Sequence, residues 1–112
     1  MSRRTIPDLT HLQFLVLSIL RSGPRAGRHV RRALAKHGVR RSAPAFYQMM
    51  ARLEDAGFVG GEYDQKIVAG QIIKERRYTL SAKGEGAWSA TRAFYDDAVE
   101  EYGARRTGVA HA

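Results

Sequence analysis

The chain contains no cysteine, three prolines and a single tryptophan in 112 residues. The missing cysteines exclude disulfides, thiolate nucleophiles and zinc fingers together. Long apolar runs are also missing. The strongest, Leu12 to Leu20, is interrupted by Gln13 and Ser18 and falls far short of the roughly 20 residues that cross a bilayer. Met-Ser-Arg-Arg-Thr-Ile-Pro opens the chain with no apolar segment behind its arginines, so no secretory signal and no membrane partner are expected, and the expected location is cytoplasmic. Catalytic patterns are equally scarce. The four histidines, His11, His29, His37 and His111, include no pair at i,i+4 spacing. There is no Gly-x-Ser-x-Gly elbow and no phosphate-cradling glycine loop. Asp96-Asp97 and Glu100-Glu101 are neighbours that point apart on a helix and read as a solvated face. A non-enzyme without cofactor or metal is the expectation.

Acidic residues are scarce where basic ones are dense. Residues 1–41 carry ten Lys or Arg against one acid, Asp8; residues 42–80 balance five against five; residues 81–112 carry four against five. A basic half of this kind is the electrostatic footprint of a polyanion partner. Apolar residues at 44% and the absence of low-complexity runs imply a packed core, and the length allows one domain.

Thr10-His11-Leu12-Gln13 fits a capping box and starts a first helix. Leu12, Leu15, Val16, Ile19 and Leu20 form its main apolar stripe, while Phe14 and Leu17 lie on another side. A helix apolar on two sides needs two partners, and a second chain is the natural candidate. Ser22-Gly23-Pro24 ends it. A second helix runs from Ala26 or Gly27 to His37, stopped by Gly38, with Val30, Ala33, Leu34 and His37 inward. Ser42 caps a third helix to about Ala56, with Phe46, Met49 or Met50, and Leu53 buried and Tyr47, Gln48, Ala51, Arg52 and Asp55 outward. Two β-rich runs, Phe58 to about Ile67 and Ile72 to Leu80, flank the turn Val68-Ala69-Gly70-Gln71. Ser81 caps a last helix to about Tyr102, with Trp88, Tyr95 and Tyr102 recurring at sevens. The order helix, helix, helix, hairpin, helix predicts a mainly α fold with a small β-hairpin, α+β, arranged as a winged helix-turn-helix.

Ser42 to Val59, SAPAFYQMMARLEDAGFV, resembles the recognition-helix signature of PadR-like transcriptional regulators, approximately S-x-G-T-L-Y-x-x-L-x-R-L-E-x-x-G-L-[IV]. Leu17 to Gly27 is similar to the family's opening around Gly-Pro, and Arg76 to Gly84 to its wing exit R-Y-Y-x-L-T-x-x-G. The likeness covers about residues 12–86. Departures are Ala26 and Arg28 beside the second-helix glycine, Pro44 and Ala45 in place of Gly and Thr, and Arg77 in place of one tyrosine.

The resemblance implies a homodimeric repressor that binds double-stranded DNA at a pseudo-palindromic operator through its third helix and wing. Residues 1–80 would form the DNA-binding unit, 81–102 a dimerisation helix and 103–112 a flexible tail. For such a binder, Ser42 and the first-turn N–H groups would hold a phosphate. Tyr47 and Gln48 would reach base edges. Arg40, Arg41 and Arg52 would flank the helix, and Lys66 and Lys74 would bracket the wing tip. Arg3 and Arg4 would form a solvated terminus or an arm on phosphates. The dimer would pack Trp88, Phe94, Tyr95 and Tyr102 with Phe14 and Leu17. Some regulators of this family sense small molecules, and the seam aromatics would line such a pocket, although the sequence shows no cavity and names no effector. The alternatives are a winged-helix interaction module for an acidic protein, and an RNA-binding module stacking bases on Tyr47 and Tyr63.

Overall fold

The computed structural model describes residues 7–105; Arg3, Arg4 and the tail from residue 106 lie outside the described residues. Helix α1 (His11–Leu20) starts from the predicted capping box: Thr10 Oγ1 accepts the Gln13 N–H and the Gln13 side chain accepts the Thr10 N–H, both at 3.0 Å. After Gly23 and Pro24 the two-residue strand β1 (Arg25–Ala26) leads into α2 (Gly27–Lys36). Gly38, at φ +82°, turns the chain out of α2. Ser42 caps α3 (Ala43–Asp55), accepting the Ala45 N–H at 3.3 Å, with Pro44 in the first turn. Strands β2 (Val59–Val68) and β3 (Gln71–Leu80) follow, and then the long α4 (Ala82–Tyr102).

The hairpin is longer and tighter than predicted. Val68 pairs directly with Gln71, so only Ala69 and Gly70 turn, at φ +53° and +79°. Positive φ at both positions is the signature of a type I′ turn, whose twist matches that of paired strands. The expected two-stranded sheet has a third member: β1 pairs antiparallel with β3, Arg25 opposite Tyr78 and Ala26 opposite Arg77, giving the order β1-β3-β2. Two residues are too few for any periodicity to announce a strand. Their pairing ties the start of α2 to the root of the wing.

One core joins the four helices and the root of the hairpin. It contains Val16, Leu17 and Leu20 of α1, Val30 and Leu34 of α2, Phe46, Met50 and Leu53 of α3, Val59 and Tyr78 of the sheet, and Trp88 of α4. Two expected assignments are corrected here. Leu17, expected at a dimer seam, is fully buried inside the single chain and has no surface to offer a partner. His37, expected inward, is exposed, its Nδ1 3.0 Å from the Ala33 carbonyl oxygen. His37 is the C-cap just beyond the last helical residue, Lys36, and so leaves the inward stripe of Val30 and Leu34, while α1 turns Val16, Leu17 and Leu20 inward.

The end of α3 and the start of α4 are stitched together. Ser81 Oγ donates to the Gly57 carbonyl at 2.6 Å and accepts the Gly84 N–H at 2.9 Å, while Lys83 Nζ donates to the Ala56 carbonyl at 2.8 Å. Gly84 lies so close to the Phe58 carbonyl oxygen that no side chain fits between them.

Burial, with the nearby Glu54 carboxylate adding to it, pushes the Tyr78 hydroxyl up to about 12. The unfolded chain would ionise at about 10, so the neutral phenol stabilises the fold fully below pH 10. Between about pH 10 and 12 the unfolded state loses its proton first and that stability drains away, by about 2 kcal/mol. Alkaline denaturation followed by circular dichroism is expected to show this loss, and Tyr78→Phe is expected to remove it.

Candidate nucleic-acid interface

Helices α2 and α3 form the two arms of a helix-turn-helix, joined by the basic connector Val39-Arg40-Arg41. Phe46, Met50 and Leu53 anchor α3 in the core, which leaves Tyr47, Gln48, Ala51, Arg52 and Asp55 on the outer face, all exposed. The face predicted from helical spacing is the face observed.

The cations around α3 divide into two sets. Arg40, Arg41, Arg52 and Lys74 are exposed and make no ion pair among the described residues. Arg52 in particular does not use Asp55 on its own helix. Arg31 Nε donates to the Arg41 carbonyl at 3.0 Å and pins the connector. Arg28, Arg31, Arg32, Arg40 and Arg41 then line a shallow depression of about 320 Å³ beside the start of α3. An anion placed there would meet several guanidinium groups and little competing carboxylate.

The second set is already engaged. Glu75 on the wing lies between Arg28 of α2 at 2.9 Å and Lys66 of β2 at 3.2 Å. The Lys66 hydrogen bond, helped by the charge of Arg28, holds the Glu75 carboxyl below the usual carboxylate range. Lys66 is therefore a weaker phosphate candidate than Lys74. Arg76 of β3 bonds Glu54 of α3 and lies 4.7 Å from the centre of the Tyr63 ring. Gly61 has the room this needs, since a side chain there would collide with the Glu54 carboxylate. The first bridge ties the wing to α2 and the second ties it to α3, and neither follows from helical or strand periodicity.

Tyr47 occupies the resulting cleft of about 620 Å³ with Glu54, Tyr63, Arg76 and Tyr78. Its ring packs against Gly27 so closely that a Cβ there would stand 2.8 Å from the phenol oxygen. It also meets Phe46 edge-on at 5.0 Å. Tyr47 is 40% exposed: one edge packs on α2 and the other faces outward. Ser42 spends its hydroxyl on the helix cap, and Ser42 and the neighbouring Arg41 are both exposed.

The proposed seam residues also separate into two groups. Trp88 is nearly buried in its own chain. It stacks on Phe14 with ring centres 5.7 Å apart, donates its Nε1–H to Ser18 Oγ at 2.7 Å, and carries the Arg21 guanidinium 3.7 Å above its ring. Glu85 holds that guanidinium with bonds of 2.9 and 3.0 Å. Phe94 is half-buried and packs edge-on to Tyr95. Tyr95, Val99 and Tyr102 are exposed, and together they form a stripe down the second half of α4. Between that helix and the start of α1 lies a depression of about 530 Å³ lined by Leu9, Phe14, Trp88, Thr91 and Tyr95. Among the described residues there is no cluster of metal-ligating side chains, and no helix is long and apolar enough to cross a membrane.

Three helices, a small antiparallel sheet with a projecting hairpin, and an exposed polar face on the third helix make this a winged helix-turn-helix protein. Neither a family model nor a curated protein matches the chain. Solved structures do. A PadR family transcriptional regulator from Eggerthella lenta is 28% identical over 82% of this chain and 78% of its own, with a TM-score of 0.65. A PadR family transcription regulator from Clostridium difficile superimposes with a TM-score of 0.66 at 14% identity, over 85% of this chain and all of its own. Bacillus subtilis PadR, solved in complex with operator DNA, is 19% identical with a TM-score of 0.60, over 71% of this chain and 45% of its own. Within the winged-helix class, the chain is similar in fold to these PadR family regulators.

Proposed function

We propose that the chain is a transcriptional regulator that binds double-stranded DNA as a homodimer and represses from a pseudo-palindromic operator. The observation that carries this reading is the exposed Tyr47, Gln48 and Arg52 face of α3 beside unpaired Arg40 and Arg41. The fold likeness to a PadR solved with operator DNA supports it. In this reading α3 enters the major groove with its N-terminal turns. Arg40, Arg41 and the N–H groups behind Ser42 take phosphates, which position the protein without reading sequence. Gln48 has the amide geometry to pair with an adenine edge, and the free edge of Tyr47 reaches alongside it. Lys74, with Lys66 once Glu75 releases it, meets the backbone flanking the wing.

Residues 1–80 form the DNA-reading unit and α4 joins two of them through Tyr95, Val99 and Tyr102, with Phe94 and Phe14 at the edge of the contact. The apolar stripe on an otherwise charged helix supports that role. Two-fold symmetry then sets two copies of α3 about one helical turn of DNA apart. The protein acts in the cytoplasm and carries no catalytic site; the neighbours it resembles are regulators rather than enzymes.

Fluorescence anisotropy with a random-sequence duplex, read at two salt concentrations alongside sedimentation, tests the reading. About six phosphate contacts per dimer give a slope of roughly −5 in log affinity against log salt. Steep binding by a dimer is the expected result. No binding at low salt would overturn the regulator and favour an interaction module for an acidic protein, and preference for single strands would favour RNA.

A further inference from the structure

A hairpin that only tracked phosphates would end in polar residues, but this one ends in aliphatic ones. Ile67 is 78% exposed, Ile72 68%, Val68 51% and Ile73 40%. The register sets Ile67 opposite Ile72, side by side on one face, with Val68 and Ile73 on the other. None of these four belongs to the core or packs against it. Exposing this much aliphatic surface at the end of a two-stranded ribbon gains nothing for the fold, because the hairpin root is already fixed by Val59, Tyr78 and Leu80.

The charge and shape of the tip identify its occupant. Residues 65–74 contain Lys66 and Lys74 and no acid, and Glu75 just beyond them holds Lys66 at 3.2 Å and leaves Lys74 unengaged among the described residues. Lys74 shares the face of Ile67 and Ile72, and Lys66 lies on the opposite face. The type I′ turn keeps the strands paired up to Val68 and Gln71, so the two-residue turn and the aliphatic side chains beside it lead the hairpin. The minor groove of B-form DNA is about 6 Å wide and is bounded on both sides by phosphates. The free Lys74 beside an aliphatic edge is complementary to that groove, while Lys66 on the opposite face is held by Glu75. An acidic protein surface would match the lysines, but it would leave the isoleucines solvated.

From this we infer that the wing tip is an apolar wedge for the duplex minor groove. Ile67 and Ile72 enter between base pairs while Lys74 takes a phosphate beside them. The inference rests on the regulator reading above and adds that binding kinks the DNA. Partial unstacking by aliphatic wedges bends duplexes by roughly 20–90°, and it is easiest at pyrimidine–purine steps, so the tip would favour flexible TA steps.

The test compares the full chain with Ile67→Ser/Ile72→Ser on a duplex of about 30 base pairs rich in TA steps, labelled with dyes at its ends and 2-aminopurine within. Both side chains are exposed, so the variant is expected to melt like the parent. The parent should bring the duplex ends together and brighten 2-aminopurine. The variant should bind about tenfold more weakly and produce neither signal. Three results would overturn the wedge: binding by the parent with no bending or brightening, equal bending by the variant, or loss of dimer mass in the variant, which would assign the tip to a second copy. In each of these the parent still binds DNA and the regulator reading stands. A parent that fails to bind duplex at all overturns both.

Discussion

Replacing Arg40, Arg41 and Arg52 together by alanine is expected to lower affinity for duplex DNA about a thousandfold near 0.1 M salt and to remove most of the salt slope. The size of the effect follows from number and placement. Three cations per protomer become six in the dimer, and each phosphate contact made releases close to one counterion. All three are exposed, and none pairs with an acid among the described residues. The connector keeps its anchor, because Arg31 binds the main-chain carbonyl of Arg41 and not its side chain. Thermal melting should therefore stay within the half kcal/mol typical of surface substitutions. Anisotropy titrations at several salt concentrations, paired with a melt, read both quantities. Unchanged affinity with an unchanged slope would remove these arginines from the interface and shift the phosphate contacts to Arg32, Lys36 and Lys74.

The contrast between these arginines and Arg28 shows where sequence reading succeeds and where it stops. Helix caps, the glycine stop and the outward face of α3 are local: Thr10 with Gln13, Ser42 with Ala45, and Gly38 act within one turn of the chain. They were legible from spacing alone. Which cations are free is a matter of tertiary distance. Arg28 and Glu75 are far apart in sequence and meet because β1 pairs with β3, through a strand of two residues that no pattern marks. The bridge from Glu54 to Arg76 depends in the same way on Gly61 lying between them. Trp88 and Tyr95 share a seven-residue stripe, but only the end of α1 decides that one is covered and the other is not.

That last difference separates two substitutions that the stripe alone would treat alike. Trp88→Ala removes the stacking on Phe14, the bond to Ser18 and the platform under Arg21. A buried tryptophan truncated to alanine costs about 3–5 kcal/mol, a large share of the roughly 5–15 kcal/mol that holds a domain together. The expected result is a chain that melts far earlier, so any loss of dimer in this variant would report on folding and not on the interface. Tyr95→Ser/Val99→Ser/Tyr102→Ser instead changes only exposed side chains. It is expected to leave secondary structure intact by circular dichroism and to halve the mass in sedimentation. Its operator affinity should fall by about 10²–10⁴, the advantage two linked reading heads have over one. A triple variant that keeps the parent's mass would place the two-fold contact elsewhere, and the half-buried face of Phe14 and Leu12 on α1 would then be the next surface to change.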